Sequence, residues 1–105
     1  MQVFISNFSH NNINSNFQYM KMFSNNYAAN LSKNIYLCID LLKEFPYIGR
    51  YIPEISDKSY KERIYTNYRI VYQTLKKLQL VYIHFIVHSK MDFLAYYKLY
   101  KKNMT

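Results

Sequence analysis

One arginine lies within a run of residues that otherwise predicts a buried β-strand. The run is NYRIVY, residues 67–72, and Arg69 is its charged side chain. A guanidinium stays charged in proteins and matches the paired oxygens of a carboxylate or a phosphate. Arg69 is therefore either a partner of Glu62 or Glu54, with its stem packed on neighbouring tyrosines, or a group that acts on an anionic ligand.

Positive charge is concentrated in the second half of the chain. The formal net charge is +8 over 105 residues. Residues 1–57 are balanced, whereas residues 58–105 hold ten lysines and arginines against Glu62 and Asp92. This asymmetry predicts a polyanionic or acidic partner for the C-terminal half. A basic face that only serves solubility is the alternative.

The composition excludes several classes of protein. Half of the residues are hydrophobic and 19% are aromatic, which is too apolar for a disordered chain. The apolar runs fall short of the ~20 residues of a membrane span, and the first residues lack a basic flank and an apolar segment, so we expect a cytoplasmic protein. One cysteine, Cys38, and three histidines predict no disulfide, metal site or cofactor. Cys38 is expected in the core.

Two helices are predicted in the first half. Residues 9–24 show a helical spacing of apolar side chains, with Ser9 available as the N-cap. A clearer apolar stripe follows and stops at Pro46. Its members are Ala28, Leu31, Ile35, Cys38, Ile39, Leu42 and Phe45. Because only residues 24–26 join the two helices, they are predicted to form a helical hairpin.

The period changes after a loop at residues 46–54, which holds both prolines and the single glycine. Three strands are predicted, at residues 60–65, 68–75 and 80–87, and their separations are hairpin lengths. A short edge strand is predicted at residues 2–6. The basic segment 91–105 is expected to be a short helix or a tail, with few core positions beyond Val87.

These elements predict one small α+β domain that covers residues 1–105. Its order is β-α-α-β-β-β, with the helical hairpin packed on a three- to four-stranded antiparallel sheet. Tyr65, Tyr68 and Tyr72 are expected to be packing aromatics of the strands first and base-stacking platforms second. Lys101 and Lys102 are expected to end in solvent.

Three segments in a fixed order resemble the RelE/ParE superfamily of type II toxin–antitoxin toxins. They are FPYIGRYIPEI, ERIYTNYRIVY and VYIHFIVHSKMD, and the resemblance extends over residues 17–97. It implies a growth-arresting toxin in a hetero-oligomer with a cognate antitoxin protein. A cationic, aromatic toxin suits an acidic segment that folds onto it, and the helical hairpin and the free sheet face are the expected docking surfaces.

RelE-like members of the superfamily are ribosome-dependent mRNA endonucleases. Such cleavage needs basic groups that position the phosphate, take a proton and stabilise the transition state. Lys61 and Arg63 alternate on one strand face and match the superfamily's lysine pair. Arg69 matches its strand arginine, and Tyr97 lies where the nucleases have a catalytic tyrosine. His88 is a candidate base, although a histidine at a strand end also serves as a turn anchor.

ParE-like members are not nucleases and poison DNA gyrase. Where the nucleases carry Lys-Arg, this chain carries Lys90-Met91, and a methionine cannot hold a phosphate. Residues 88–92 match the His-x-x-Met-Asp ending of ParE-like toxins, and a basic segment follows. The resemblance therefore favours gyrase inhibition, and cleavage of mRNA on the ribosome is the alternative. The expected gyrase-contacting residues are His88, Lys90, Met91, Asp92, Lys98 and Lys101.

Overall fold

A five-stranded mixed sheet lies between a helical hairpin and a C-terminal helix. The computed structural model describes residues 1–104. In chain order the elements are β1 (Gln2–Ile5), α1 (Asn7–Lys21), α2 (Asn25–Asp40), β2 (Arg50–Tyr51), β3 (Tyr60–Tyr65), β4 (Tyr68–Leu75), β5 (Leu80–His88) and α3 (Phe93–Met104). The strand order is β1-β5-β4-β3-β2, with β1 parallel to β5 and the other pairs antiparallel.

The predicted helical hairpin on a sheet is confirmed, while the strand count and the wholly antiparallel pairing are corrected. The bounds of β3 and β4 agree with the predicted ones, and β5 is one residue longer. Strand β2 lies inside the segment predicted as a loop, where Arg50 pairs with Glu62 and Tyr51 with Lys61. Alternation of apolar and polar residues indicates a strand but does not indicate which strand pairs with it. The parallel pairing of β1 with β5 therefore could not be predicted from the local sequence.

Serine side chains begin both helices of the hairpin. The Ser6 hydroxyl accepts the Ser9 N–H at 3.0 Å, so α1 starts earlier than predicted and Ser9 is not its cap. The Ser9 hydroxyl instead donates to the Ile83 carbonyl at 3.1 Å and ties α1 to β5. Ser24 caps α2 by accepting the Tyr27 N–H at 3.2 Å. Each cap satisfies a backbone donor that the helix leaves unpaired.

The hairpin buries its apolar stripe on one face of the sheet. The buried members are Ile13, Leu31, Ile35, Ile39 and Leu42 from the helical segment and Tyr68, Ile70, Tyr72, Val81, Ile83 and Ile86 from the sheet. Cys38, which was expected in the core, is only partly buried and packs against this cluster. Phe45 does not, because the chain leaves the helix at a short 3₁₀ turn, Leu41–Lys43, and the Phe45 side chain is 52% exposed.

Helix α3 covers the other face of the sheet. Phe93 and Tyr100 are each 3% exposed. They pack in a second core cluster whose other buried members are Ile52, Tyr60, Val71, Phe85 and Val87. Two core positions, Phe93 and Tyr100, therefore lie beyond Val87, and the C-terminal segment is a structural helix rather than a tail. No helix within residues 1–104 is long and apolar enough to cross a membrane.

The single glycine of the chain lies where the loop touches β3 and β4. The Gly49 N–H donates to the Tyr72 hydroxyl at 2.8 Å. A Cβ at this position would lie 2.5 Å from that hydroxyl and 2.7 Å from the Glu62 carbonyl oxygen. Tyr72 is fully buried and the second atom is backbone, so neither can move away. Residue 49 must therefore be glycine for β2 to reach β3.

Candidate functional site

Arg69 is the centre of a buried ion-pair network on the α3 face of the sheet. Its Nε donates to Glu62 Oε1 at 2.6 Å across the β3–β4 ladder. Its two terminal nitrogens donate to the carboxylate of Glu54, in the loop after β2, at 2.7 and 2.6 Å. Arg50 Nε donates to the second oxygen of Glu62 at 2.7 Å. Two cations and two anions thus alternate across three strands and a loop.

The network is neutral, and its central pair, Arg69 and Glu62, is shielded from solvent, whereas Arg50 and Glu54 reach the surface. The Arg69 side chain is 9% exposed and that of Glu62 is 0% exposed. The hydrogen bond from Arg69 holds the pKa of Glu54 below its usual value, and the same contact raises the pKa of Arg69. The Arg69 guanidinium also lies 4.2 Å from the centre of the Phe93 ring at the start of α3. Arg69 therefore pairs with carboxylates, and both predicted partners, Glu62 and Glu54, bind it.

Lys61 and Arg63 share one strand face, as predicted, and it is the face opposite Arg69. They pair with Tyr72 and Ile70, which pack under the hairpin. Lys61 Nζ donates to the Tyr47 carbonyl at 3.4 Å. Arg63 Nε is buried without a hydrogen-bond partner among the described residues. The sheet thus separates these two cations from Arg69 by its own thickness.

The segment after β5 is a tight turn that begins at His88 and leads into α3. His88 Nδ1 accepts the Lys90 N–H at 3.0 Å, and the His88 ring meets Tyr68 edge-on at 5.0 Å between ring centres. Asp92 caps α3 by accepting the Ala95 N–H at 3.2 Å. Lys90 and Met91 are exposed between these two anchors. His88 and Asp92 therefore fix the turn that presents residues 90 and 91.

Tyr97 and Lys101 lie together on α3, where Lys98 and Lys101 are exposed and Tyr97 is half-buried. The Tyr97 ring stacks on Phe93 at 6.1 Å, and burial raises the pKa of its hydroxyl. Lys101 Nζ lies 4.9 Å from the Tyr60 ring centre and 5.5 Å from that of Tyr97. A hydrogen bond to Tyr60 raises the pKa of Lys101. Lys101 is exposed, as expected, and its ammonium group also contacts these two rings.

A buried histidine that the sequence did not single out joins α3 to the sheet. Pairing of β4 with β5 shifts between Val71 and Tyr72, which leaves His84 as an extra residue facing α3. His84 Nδ1 lies 2.6 Å from the Tyr100 hydroxyl, and Nε2 lies 2.8 Å from Gln73 Oε1. Because Gln73 donates its amide to Ser59, Nε2 carries the proton and Nδ1 accepts from Tyr100.

We expect His84 to make the stability of the protein depend on pH. Burial lowers its pKa to about 4, whereas in the unfolded chain it titrates near 6.5. Between these values the unfolded chain binds a proton that the folded chain does not, so folding weakens as pH falls. His84 should account for about 2 kcal/mol of unfolding free energy lost between pH 7 and pH 5.

Urea unfolding of the wild type and of His84→Gln at both pH values isolates this contribution from that of the carboxylates. The stability difference between the two proteins should shrink by the same amount at pH 5. An equal pH dependence of the two proteins would show that His84 is not held neutral.

The predicted nuclease residues do not form one constellation. Arg69 and Tyr97 lie on the α3 face, and Lys61 and Arg63 lie on the hairpin face. His88 pairs with Tyr68 at the end of the sheet. Within residues 1–104 no group of three histidine, cysteine, aspartate or glutamate side chains could hold a metal ion. Chemistry at a phosphate would need these cations on one surface.

A helical hairpin on one face of the sheet and a basic helix on the other define a toxin fold of the RelE/ParE superfamily. A chain of the RelBE2 toxin–antitoxin complex from Mycobacterium tuberculosis has this fold with a TM-score of 0.55. It is 14% identical, and the match covers 83% of this chain and 95% of that one. The model of the ParE toxin of the type II toxin–antitoxin system parDE matches residues 15–93. The chain belongs to this family. A comparison with curated protein sequences gives no significant match.

Proposed function

We propose that this toxin arrests growth by inhibiting DNA gyrase and is neutralised in the cytoplasm by a cognate antitoxin. One observation carries the choice against mRNA cleavage. Arg69 has its charge matched by Glu62 and Glu54 and lies on the opposite face of the sheet from Lys61 and Arg63. The cations that a nuclease would aim at one phosphate are thus divided between two surfaces. Membership of the ParE toxin family supports the same choice.

The surface proposed to meet gyrase runs from the turn after β5 along α3. Lys90, Met91 and Lys98 are exposed there, and Met91 has 54% of its surface in solvent. Lys101 adds a cation that is held against Tyr60 and Tyr97. His88 and Asp92 shape the turn through their contacts with backbone N–H groups. An exposed methionine among cations suits a partner with an acidic rim and an apolar centre.

Reversing two of these charges should impair gyrase inhibition and leave the fold intact. Lys90→Glu with Lys98→Glu is expected to raise the toxin concentration needed to inhibit gyrase supercoiling at least ~10-fold, because like charges would then oppose each other across the contact. Both side chains are exposed, so the thermal unfolding of the variant should match that of the wild type.

Lys76→Glu with Lys77→Glu is the matched control, since it reverses the same charge in the exposed turn between β4 and β5. Deleting α3 would be a poor test, because Phe93 and Tyr100 belong to the core. Equal inhibition by both variants would refute the proposed surface. The nuclease alternative would be established by a different result. In that case the wild type would cleave ribosome-bound mRNA, and a Lys61→Ala, Arg63→Ala variant would not.

The antitoxin is proposed to dock on the hairpin side of the molecule. Helix α3 packs on the sheet face that the hairpin leaves open, so the face expected to be free for docking is partly covered. An apolar groove remains between β1 and α2. Its lining residues are Val3, Ile5, Tyr36, Leu37 and Ile39, with Lys33 and the ion pair of Asp40 with Lys43. Such a groove suits an apolar segment with acidic residues. The chain that shares this fold comes from a toxin–antitoxin complex, which supports an antitoxin partner.

A further inference from the structure

The last strand of the sheet, β5, has an open edge at its C-terminal end. Strand β1 pairs with β5 only from Leu80 to Ile83, and after Ser6 the chain turns into α1. Within residues 1–104 no other strand lies on this side of β5. Residues 84–88 therefore have β4 on one side and α1, through its Asn12 side chain, on the other.

Backbone groups on this edge point away from β4. In an antiparallel pair, alternate residues direct both their N–H and their C=O groups outward. The Ile86 N–H points outward, because it donates to the side-chain oxygen of Asn12 at 3.0 Å. The Ser89 N–H points the other way and donates to the Asn67 carbonyl at 2.7 Å. The Ile86 carbonyl and the His88 N–H therefore face outward at the open edge.

A cleft borders the open edge in two parts that share Asn16 and His88. One part, of about 250 Å³, lies between α1 and the turn after β5 and is lined by Asn12 and Tyr96 among others. The second part, of about 380 Å³, lies between the helical hairpin and the turn that joins β3 to β4, where Asn67 lines it. We call the two parts together the amide cleft, after Asn12, Asn16 and Asn67.

The amide cleft has no ionic lining. None of the residues that line it is a lysine, arginine, aspartate or glutamate, although the chain carries a net charge of +8. Asn16 lies where the two parts meet, and its side-chain amide forms no hydrogen bond within residues 1–104. A side-chain amide offers the same donor and acceptor groups as a peptide backbone. The lining therefore suits an uncharged polypeptide rather than a polyanion.

We infer that the amide cleft receives an extended, uncharged segment of gyrase, which adds to the open edge of β5 as a further strand. The Ile86 carbonyl and the His88 N–H would pair with the backbone of that segment, and Asn16 would bind one of its amides. The inference rests on the proposed gyrase target, because the cleft is continuous with that surface at His88 and Met91. The lysines of that surface would guide the encounter, and the cleft would hold the segment.

Two other occupants fit the cleft less well. An acidic segment needs cations, which the groove between β1 and α2 supplies through Lys33 and Lys43 and the amide cleft does not. A helix pairs its own N–H and C=O groups internally, so it would leave the open edge of β5 without a partner. An extended segment without charges is the occupant that uses both the edge and the lining.

Binding of the toxin to purified gyrase, measured by biolayer interferometry, tests the cleft. Asn16→Glu should weaken binding at least ~10-fold, because the new carboxylate would be buried under the segment without a cation. Asn14→Glu is the matched control, since residue 14 is exposed on the same helix and does not line the cleft. It should retain the affinity within about threefold. Asn16→Gln keeps the amide and should stay within the same range, and thermal unfolding confirms that each variant is folded.

Hydrogen exchange of the wild-type toxin gives a second measurement that needs no variant. The His88 amide should exchange rapidly in the free toxin and at least ~10-fold more slowly in the complex with gyrase, because the added strand would accept its hydrogen bond. The Val87 amide faces β4 and should be protected in both states, so it serves as the internal control. Mass spectrometry with residue-level fragmentation distinguishes the two amides.

The outcomes separate a failure of this inference from a failure of the proposed function. If the wild type does not bind gyrase, the gyrase target is refuted and the inference falls with it. If the wild type binds, the inference alone is overturned when Asn16→Glu binds as tightly as the wild type, when Asn14→Glu loses as much affinity, or when exchange at His88 does not change. Equal protection of His88 by a polyglutamate peptide would also overturn it, since the cleft would then accept an acidic segment.

Discussion

Replacing Arg69 by methionine is expected to lower the free energy of unfolding by about 3 kcal/mol or more, because buried Glu62 loses one of its two cationic partners and Glu54 loses its own. The Glu62 side chain is 0% exposed, and of the two arginines that pair with it within residues 1–104 the change leaves Arg50, whose side chain is 62% exposed. Glu54 is less affected, since its side chain is 35% exposed and can be solvated. Urea unfolding at neutral pH gives the value directly.

An exposed ion pair supplies the control for this prediction. Lys43 and Asp40 lie 2.7 Å apart with side chains 54% and 62% exposed, so Lys43→Met should cost at most about 1 kcal/mol. Adding Glu62→Gln to Arg69→Met should recover part of the lost stability, since it removes the buried carboxylate that has lost its buried cation. A single variant as stable as the wild type would contradict the buried network. Any loss of toxicity in an Arg69 variant must therefore be measured at equal folded concentration.

The second large effect is expected at Leu42. This side chain is 0% exposed in the cluster between the hairpin and the sheet, and Leu42→Ala should cost about 2 to 5 kcal/mol through lost burial and the cavity left behind. A domain of this size has a total stability of about 5 to 15 kcal/mol, so the variant should unfold at markedly lower urea concentration.

Phe45 tests whether burial rather than sequence pattern sets this cost. It continues the same apolar stripe in the sequence, but its side chain is 52% exposed. Phe45→Ala should therefore change the unfolding free energy by no more than about 0.5 kcal/mol. Equal costs at the two positions would show that Leu42 is not a core residue.

Local patterns in the sequence were sufficient for much of this fold. The stripe Leu31, Ile35 and Leu42 has helical spacing, and its burial follows from that period. The strands β3 and β4 also follow from their alternation and from the short turn at Thr66 and Asn67. In each case the signal lies within a few residues of the element that it predicts.

What escaped prediction depends on contacts between distant segments. The sequence predicted Ser9 as a helix N-cap, but its hydroxyl donates to the Ile83 carbonyl on the last strand. His84 faces α3 only because a register shift inserts it into β5. The sequence left two roles open for Arg69, namely pairing with a carboxylate or acting on an anionic ligand. The pairing with Glu54 depends on a loop that approaches from outside the strand, and no local pattern predicts that approach. The exposure of Tyr47 and Tyr51 could not be predicted, because both lie in a loop that is otherwise rich in apolar residues.

The parallel pairing of β1 with β5 has a consequence for the order of folding during synthesis. Gln2 pairs with Leu80 and Ile5 with Ile83, although the ribosome makes them 78 residues apart. The hairpins β3–β4 and β4–β5 join neighbours in sequence, so they can form as soon as they emerge. The first strand to be made is thus the one whose partner emerges last. Nascent chains that end before residue 80 lack the strand on which β1 must pair, and the N-terminal strand is left to be held by α1 and α2 until β5 appears.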